Sequence, residues 1–127
     1  MALVELRPHL YRLVLGRFQA YLWRDRDSVT LIDTGEAGSG ALVAASLGHI
    51  GLSLGDVDRV VLTHFHGDHV GSAAEIVTGR RARVVAHERD APIIRGDRQG
   101  PAPKVTESEL EIYAQVAGTV DVMPRSE

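Results

Sequence analysis

The sequence contains no cysteine, so it offers neither disulfides nor thiolate ligands, and any metal must be held by imidazole and carboxylate. It has no excess of positive charge. The 14 Lys and Arg stand against 17 Asp and Glu, a formal net charge of −3 that gives no general attraction to a phosphate backbone and argues against nucleic acid as a partner. No apolar stretch approaches the roughly 20 residues that cross a bilayer. The N-terminal MALVELRPHLYRLVLG is interrupted by charge where a signal peptide carries an unbroken apolar region. A cytoplasmic location without membrane association is the simplest expectation. There is no internal repeat and no low-complexity tract. With 127 residues, 44% hydrophobic and 24% charged, the chain is expected to form one domain, 1–127, around one core.

The first third reads as a meander of short antiparallel strands. HLYRLVL (9–15), FQAYLWR (18–24) and SVTLID (28–33) are rich in β-branched, aromatic and leucine residues, and Gly16-Arg17 and the charged Arg24 to Asp27 separate them. A helix is expected over roughly 40–50, where Val43, Leu47 and Ile50 share a face, with Gly51 as its stop. After a polar turn at Gly55-Asp56, VDRVVLT (57–63) suits a strand, VGSAAEIVT (70–78) a helix closed by Gly79, and ARVVA (82–86) a second strand. Such a βαβ unit predicts parallel strands joined by a right-handed crossover. Residues 87–96 suit a helical turn with Pro92 held to an early position, and 96–105 an exposed loop. Thr106 and Glu109 form a capping-box pair for a last helix that ends at Gly118, and the tail 119–127 shows no structural signal.

What the chain does have, concentrated in one place, is histidine. VVLTHFHGDHVG (60–71) carries three histidines and an aspartate within six positions, at the point where an apolar run stops. On a strand, His64 and His66 point the same way while Phe65 turns into the core. Gly67 then permits a bend that brings Asp68 and His69 out near the start of the next helix. These four are candidates for two adjacent metals. Their donor types suit Zn2+ and also Mn or Fe, and zinc is favoured by ligand type. A solvated turn that happens to be rich in histidine is the plainer alternative, but it leaves the spacing and the strand context unexplained.

THFHGDHVG resembles the HxHxDH signature of the metallo-β-lactamase superfamily, and LIDTG (31–35) and AHERD (86–90) are similar to further elements of that family. The resemblance covers most of residues 9 to 95. It implies an α+β fold: half of an αββα sandwich, a mixed β-sheet with helices on one face. By position, it implies that His64 and His66 ligate a first metal and that Asp68 and His69 ligate a second, with Asp33 supporting the site from behind. Asp68 would be the catalytic residue, orienting the nucleophile and taking part in proton transfer. The implied reaction is hydrolysis, in which metal-bound hydroxide attacks an ester, lactone, thioester, amide or phosphodiester of a small-molecule substrate. His66, where flavodiiron proteins have glutamate, places the resemblance in the hydrolytic branch.

The family's remaining ligands come from its C-terminal half, and residues 88–127 contain no histidine. Two protein ligands per metal bind weakly, so turnover by this chain alone is not expected. The competing reading is a non-catalytic, truncated remnant that binds metal or associates with itself. Half of such a sandwich leaves one sheet face bare, which predicts a homodimer packed sheet on sheet. The other charged candidates read more plainly. His9, His49 and His87 are expected at the surface, Asp33 also suits a turn before Gly35, and Arg80-Arg81-Ala82-Arg83 reads as solvated surface rather than a phosphate site.

Overall fold

The computed structural model describes residues 3–101. The helix expected after Thr106, the end of the 96–105 loop and the tail 119–127 lie outside the described residues. Six strands form one sheet in sequence order: β1 (Leu3–Arg7), β2 (Leu10–Leu15), β3 (Phe18–Arg24), β4 (Val29–Ile32), β5 (Arg59–Val61) and β6 (Arg83–Val85). The first four pair antiparallel through tight turns, and β4–β5–β6 are parallel. The sheet is therefore mixed, as expected. β1 was not expected from the sequence. It is an edge strand in which only Leu3 is buried, so LVELR carries little alternation, and Pro8 hides its continuity with β2.

Alternation gives the sheet two different faces. On one, Leu13 and Leu15 of β2, Ala20 and Leu22 of β3, Leu31 of β4 and Val60 of β5 are buried. They form a single core with Val43 and Leu47 of α1 (Gly40–Gly48), Ala73 and Ile76 of α3 (Ala73–Val77) and Ile94 of α4 (Ala91–Ile94). Each fully buried leucine contributes on the order of 2 kcal/mol. On the opposite face, the register lines up Val4, Arg12, Tyr21, Ile32, Val61 and Val85 in one row across all six strands.

Two of the departures from the expected element boundaries lie at the histidine motif. The helix expected over 70–78 is two short helices, α2 (Gly67–Val70) and α3, separated at Gly71-Ser72. Ser72 causes the break by bonding outward: its amide donates to Thr34 Oγ1 (3.1 Å), its hydroxyl donates to the Glu36 carbonyl (2.6 Å), and its Oγ accepts the Ser39 amide (2.8 Å). The strand expected to reach Thr63 stops at Val61. Beyond it, Leu62 makes one more ladder bond to Val85, and the next amide, Thr63 N–H, is taken by the Asp33 side chain. The turn at 54–56 is a single 3-10 turn, and Pro92 stands in the first turn of α4, where its missing N–H costs nothing.

Candidate metal centre

Two loops meet at the C-terminal ends of the parallel strands β4 and β5. The first begins at Asp33, whose amide donates to the Val61 carbonyl at 2.8 Å and whose backbone then turns left-handed, with φ of 64°. Aspartate tolerates that conformation better than most residues. The second loop carries Thr63 to His66 and leads into α2. The Thr34 amide and hydroxyl both donate to the His69 carbonyl at 2.8 Å, and Ser72 adds its bonds to Thr34, Glu36 and Ser39. This seam fixes Asp33 beneath the histidines.

Asp33 is only 6% exposed, yet both oxygens of its carboxylate are hydrogen-bonded. Oδ1 accepts the Thr63 amide at 2.8 Å; Oδ2 accepts the Thr63 hydroxyl at 2.7 Å and lies 2.8 Å from His69 Nδ1. Thr63 Oγ1 is in turn 3.0 Å from His64 Nδ1. The hydroxyl has one proton and gives it to Asp33, so it accepts from His64, which assigns the Nδ1–H tautomer to His64. His69 likewise directs Nδ1–H at Asp33. Both rings are thereby oriented through Nδ1, by Asp33 directly or by way of Thr63, leaving Nε2 to face outward. Metal-binding histidines are commonly fixed in this way.

The electrostatics follow from these contacts. Burial opposes ionisation of Asp33, but the hydrogen bonds from His69 and Thr63 together outweigh it and hold the carboxyl below its ordinary range. The hydrogen bond to Asp33 raises the His69 imidazole, against the effect of burial. His64 is lowered, first by burial and then by the neighbouring His69 and His66. His64 is therefore neutral near pH 7 with a free lone pair. The Nε2 of His69 lies 3.3 Å from Asp68 Oδ2, so Asp68 stands beside the ring nitrogen that the Asp33 bond leaves open.

The four expected ligands are brought together, though not in the way the sequence suggested. His64 and His66 stand on a bend, not on the strand, because the strand stops at Val61. Their rings meet edge to face, 4.8 Å apart and 84° inclined, and the His64 ring is 4.0 Å from that of His69. Phe65 is half-buried against the core. As the side chains stand, no three His, Asp or Glu groups among the described residues share a point from which they hold one ion. The donor chemistry nevertheless fits an N/O-ligated metal: two imidazoles are locked by their Nδ1 protons, Asp68 lies against the Nε2 of one of them, and the exposed His66 stands beside them.

Thr63 and Ser72 were not singled out from the sequence. Thr63 adjoins the motif, and asking what satisfies the second oxygen of Asp33 finds it; Ser72 acts only through contacts more than 30 residues away. The other histidines are exposed: His9 tilts against Trp23, His49 caps α1, and His87 accepts the Arg89 amide at its Nδ1.

A mixed sheet with helices on one face carries a histidine–aspartate cluster at the ends of its parallel strands, an α+β arrangement. The chain belongs to the metallo-beta-lactamase superfamily, whose family model matches residues 19–124. It is 29% identical over 117 residues to the probable metallo-hydrolase YybB of Bacillus subtilis (strain 168), covering 86% of this chain and 50% of that protein. It is 40% identical over 74 residues to a hydroxyacylglutathione hydrolase of Rhodopseudomonas palustris (strain BisA53), covering 55% of this chain and 28% of that one. Among solved structures, BJP-1, a subclass B3 metallo-beta-lactamase of Bradyrhizobium japonicum, superposes with a TM-score of 0.69 at 27% identity, covering 83% of this chain and 44% of that chain. The chain thus spans half or less of the length of these relatives and corresponds to roughly half of their fold. No helix among the described residues is long and apolar enough to cross a membrane.

Proposed function

We propose that this chain contributes the first half of a metal-dependent hydrolytic centre, with His64 and His66 on one metal and Asp68 and His69 on a second, zinc being the metal its donors favour. The observation that carries this reading is the Asp33–Thr63 network, which anchors two imidazoles by Nδ1. When bound, the metal supplies Lewis acidity and lowers the pKa of water to ~7. Asp68, in contact with His69 Nε2 but not with Asp33 itself, is the group that would orient water and hold its proton. Asp33 and Thr63 keep the rings from turning. The substrate would be an ester, lactone, thioester, amide or phosphodiester, and the R. palustris relative makes a hydroxyacylglutathione a first compound to assay. The whole protein's remaining ligands would come from outside the histidine motif.

The direct test is metal content. Purified chain titrated with Zn2+ should bind it, and His66→Ala should weaken binding by at least about tenfold, since loss of even a supporting partner costs ~10–100-fold. Equal zinc in both proteins would defeat the ligand assignment. Hydrolysis of the compounds above by the same samples tests turnover separately.

A second reading, self-association, draws on the face away from the helices. Its row from Val4 to Val85 is largely apolar, and Val85 is 46% exposed. Within it Arg12 has a buried Nε with no hydrogen-bond partner among the described residues. A second copy laid sheet on sheet would cover the row. Light scattering at micromolar concentration should report a dimer, and a monodisperse monomer would exclude this packing.

A further inference from the structure

At the end of the sheet away from the histidines, arginines distant in sequence line one cleft. Arg59 opens β5 and Arg83 opens β6, and the parallel register makes them direct neighbours. Strand spacing puts their backbones about 4.8 Å apart. Val60, next in the chain, is fully buried on the helix side, so Arg59 and its register partner project to the other face. There they border a cleft of about 700 Å3 with Arg81, Asp27, Ser28 and Asp58.

Like charges placed directly opposite on neighbouring strands destabilise a sheet unless something neutralises them. The described residues do not neutralise this pair. Asp58 is committed to Arg81 at 3.2 Å and to the Val29 amide at 2.8 Å. Arg59 donates to two uncharged hydroxyls, Thr30 Oγ1 at 3.1 Å and Ser28 Oγ at 3.3 Å. The Arg83 amide donates to the Asp58 carbonyl at 3.1 Å, while its guanidinium makes no hydrogen bond or ion pair among the described residues. Asp27 on the rim offsets one charge, which leaves the cleft positive in a chain whose net charge is −3. Arg80, adjacent in sequence, is directed elsewhere: it donates to the Glu75 and Ile76 carbonyls at the end of α3.

We propose that this cleft binds a phosphoryl group, held between Arg59 and Arg83 with Arg81 at its edge. Two planar guanidinium forks side by side match a tetrahedral dianion, which has oxygens enough for both, whereas the two oxygens of a carboxylate are satisfied by a single fork. The site lies at the N-terminal ends of β5 and β6 and is separate from the histidine cluster that follows the C-terminal end of β5.

The test is a titration of the 127-residue chain with inorganic phosphate at low, matched ionic strength, read by amide chemical shifts. Saturable shifts should centre on residues 58–60 and 81–85. Arg83→Ala and Arg59→Ala should each weaken binding by about tenfold or more, the loss expected for a charge-assisted bidentate contact. Arg80→Ala should leave it unchanged, and acetate at equal concentration should bind at least about tenfold more weakly. Should Arg83→Ala fail to fold, as judged by circular dichroism, Arg83→Gln supplies the same comparison. Phosphate shifts no larger than those from acetate, or equal losses for the Arg80 and Arg83 variants, would overturn the proposal.

Discussion

Gly71→Ala is expected to cost about 3 kcal/mol or more and to loosen the metal site at the same time. Gly71 is helical, with φ of −56°, so its backbone conformation suits any residue and the restriction is one of space. A Cβ there would lie 2.5 Å from the Gly67 carbonyl oxygen and still closer to the backbone at Glu36 and Ala37. Main chain cannot rotate aside as a flexible side chain can. The two loops must separate, and the bonds from Thr34 and Ser72 that bridge them separate as well. Thermal unfolding should fall by about 10 °C, and zinc retention should fall with it. Gly48→Ala is the control, because nothing lies within 4 Å of a Cβ added there. A melting temperature equal to that of the unmodified chain would show that the loop seam does not hold the site.

Asp33→Asn should leave the fold in place and weaken zinc binding by ~10–100-fold. Volume is preserved, and the amide oxygen can still accept the Thr63 N–H. The amide nitrogen, however, then faces two donors, the Thr63 hydroxyl and His69 Nδ1–H, where the carboxylate had accepted both. His69 is best satisfied by moving its proton to Nε2, which removes the lone pair that a metal needs. The hydroxyl of Thr63 turns as well, and His64 loses its fixed tautomer. The stability cost should be about 1.5–3 kcal/mol, the range for hydrogen bonds to a charged group. Chelator competition reads the affinity, and imidazole 15N shifts read the tautomer. Unchanged affinity with the His69 proton still on Nδ1 would remove Asp33 from any part in positioning ligands.

These two variants probe different levels of the same construction. Gly71 governs whether the loops can approach, and Asp33 governs what the rings do once they have. His66 lies outside both, exposed and without a bond to the Asp33 network, so its replacement reports on metal binding with little effect on folding.

Local pattern was enough for β2, β3 and β4, for α1 and for the βαβ order, because alternation and the three-to-four residue period are written in adjacent residues. The crowding of His64, His66, Asp68 and His69 at the end of an apolar run is visible in the same way. Asp33 was marked by the resemblance of LIDTG to a family element, since position alone also suited a turn. What the sequence left undecided depends on partners far along the chain. The strand before the motif ends at Val61 because the Asp33 carboxylate, 30 residues earlier, takes the Thr63 amide. The following helix breaks because Ser72 bonds to Thr34, Glu36 and Ser39. The arginines at 80, 81 and 83 look alike in sequence, yet Arg80 turns to a helix end while Arg83 meets Arg59 across a parallel register. Residue type and spacing therefore determined which groups were available, and the tertiary hydrogen bonds decided where each one points, since a buried donor or acceptor must find its partner wherever the fold has placed it.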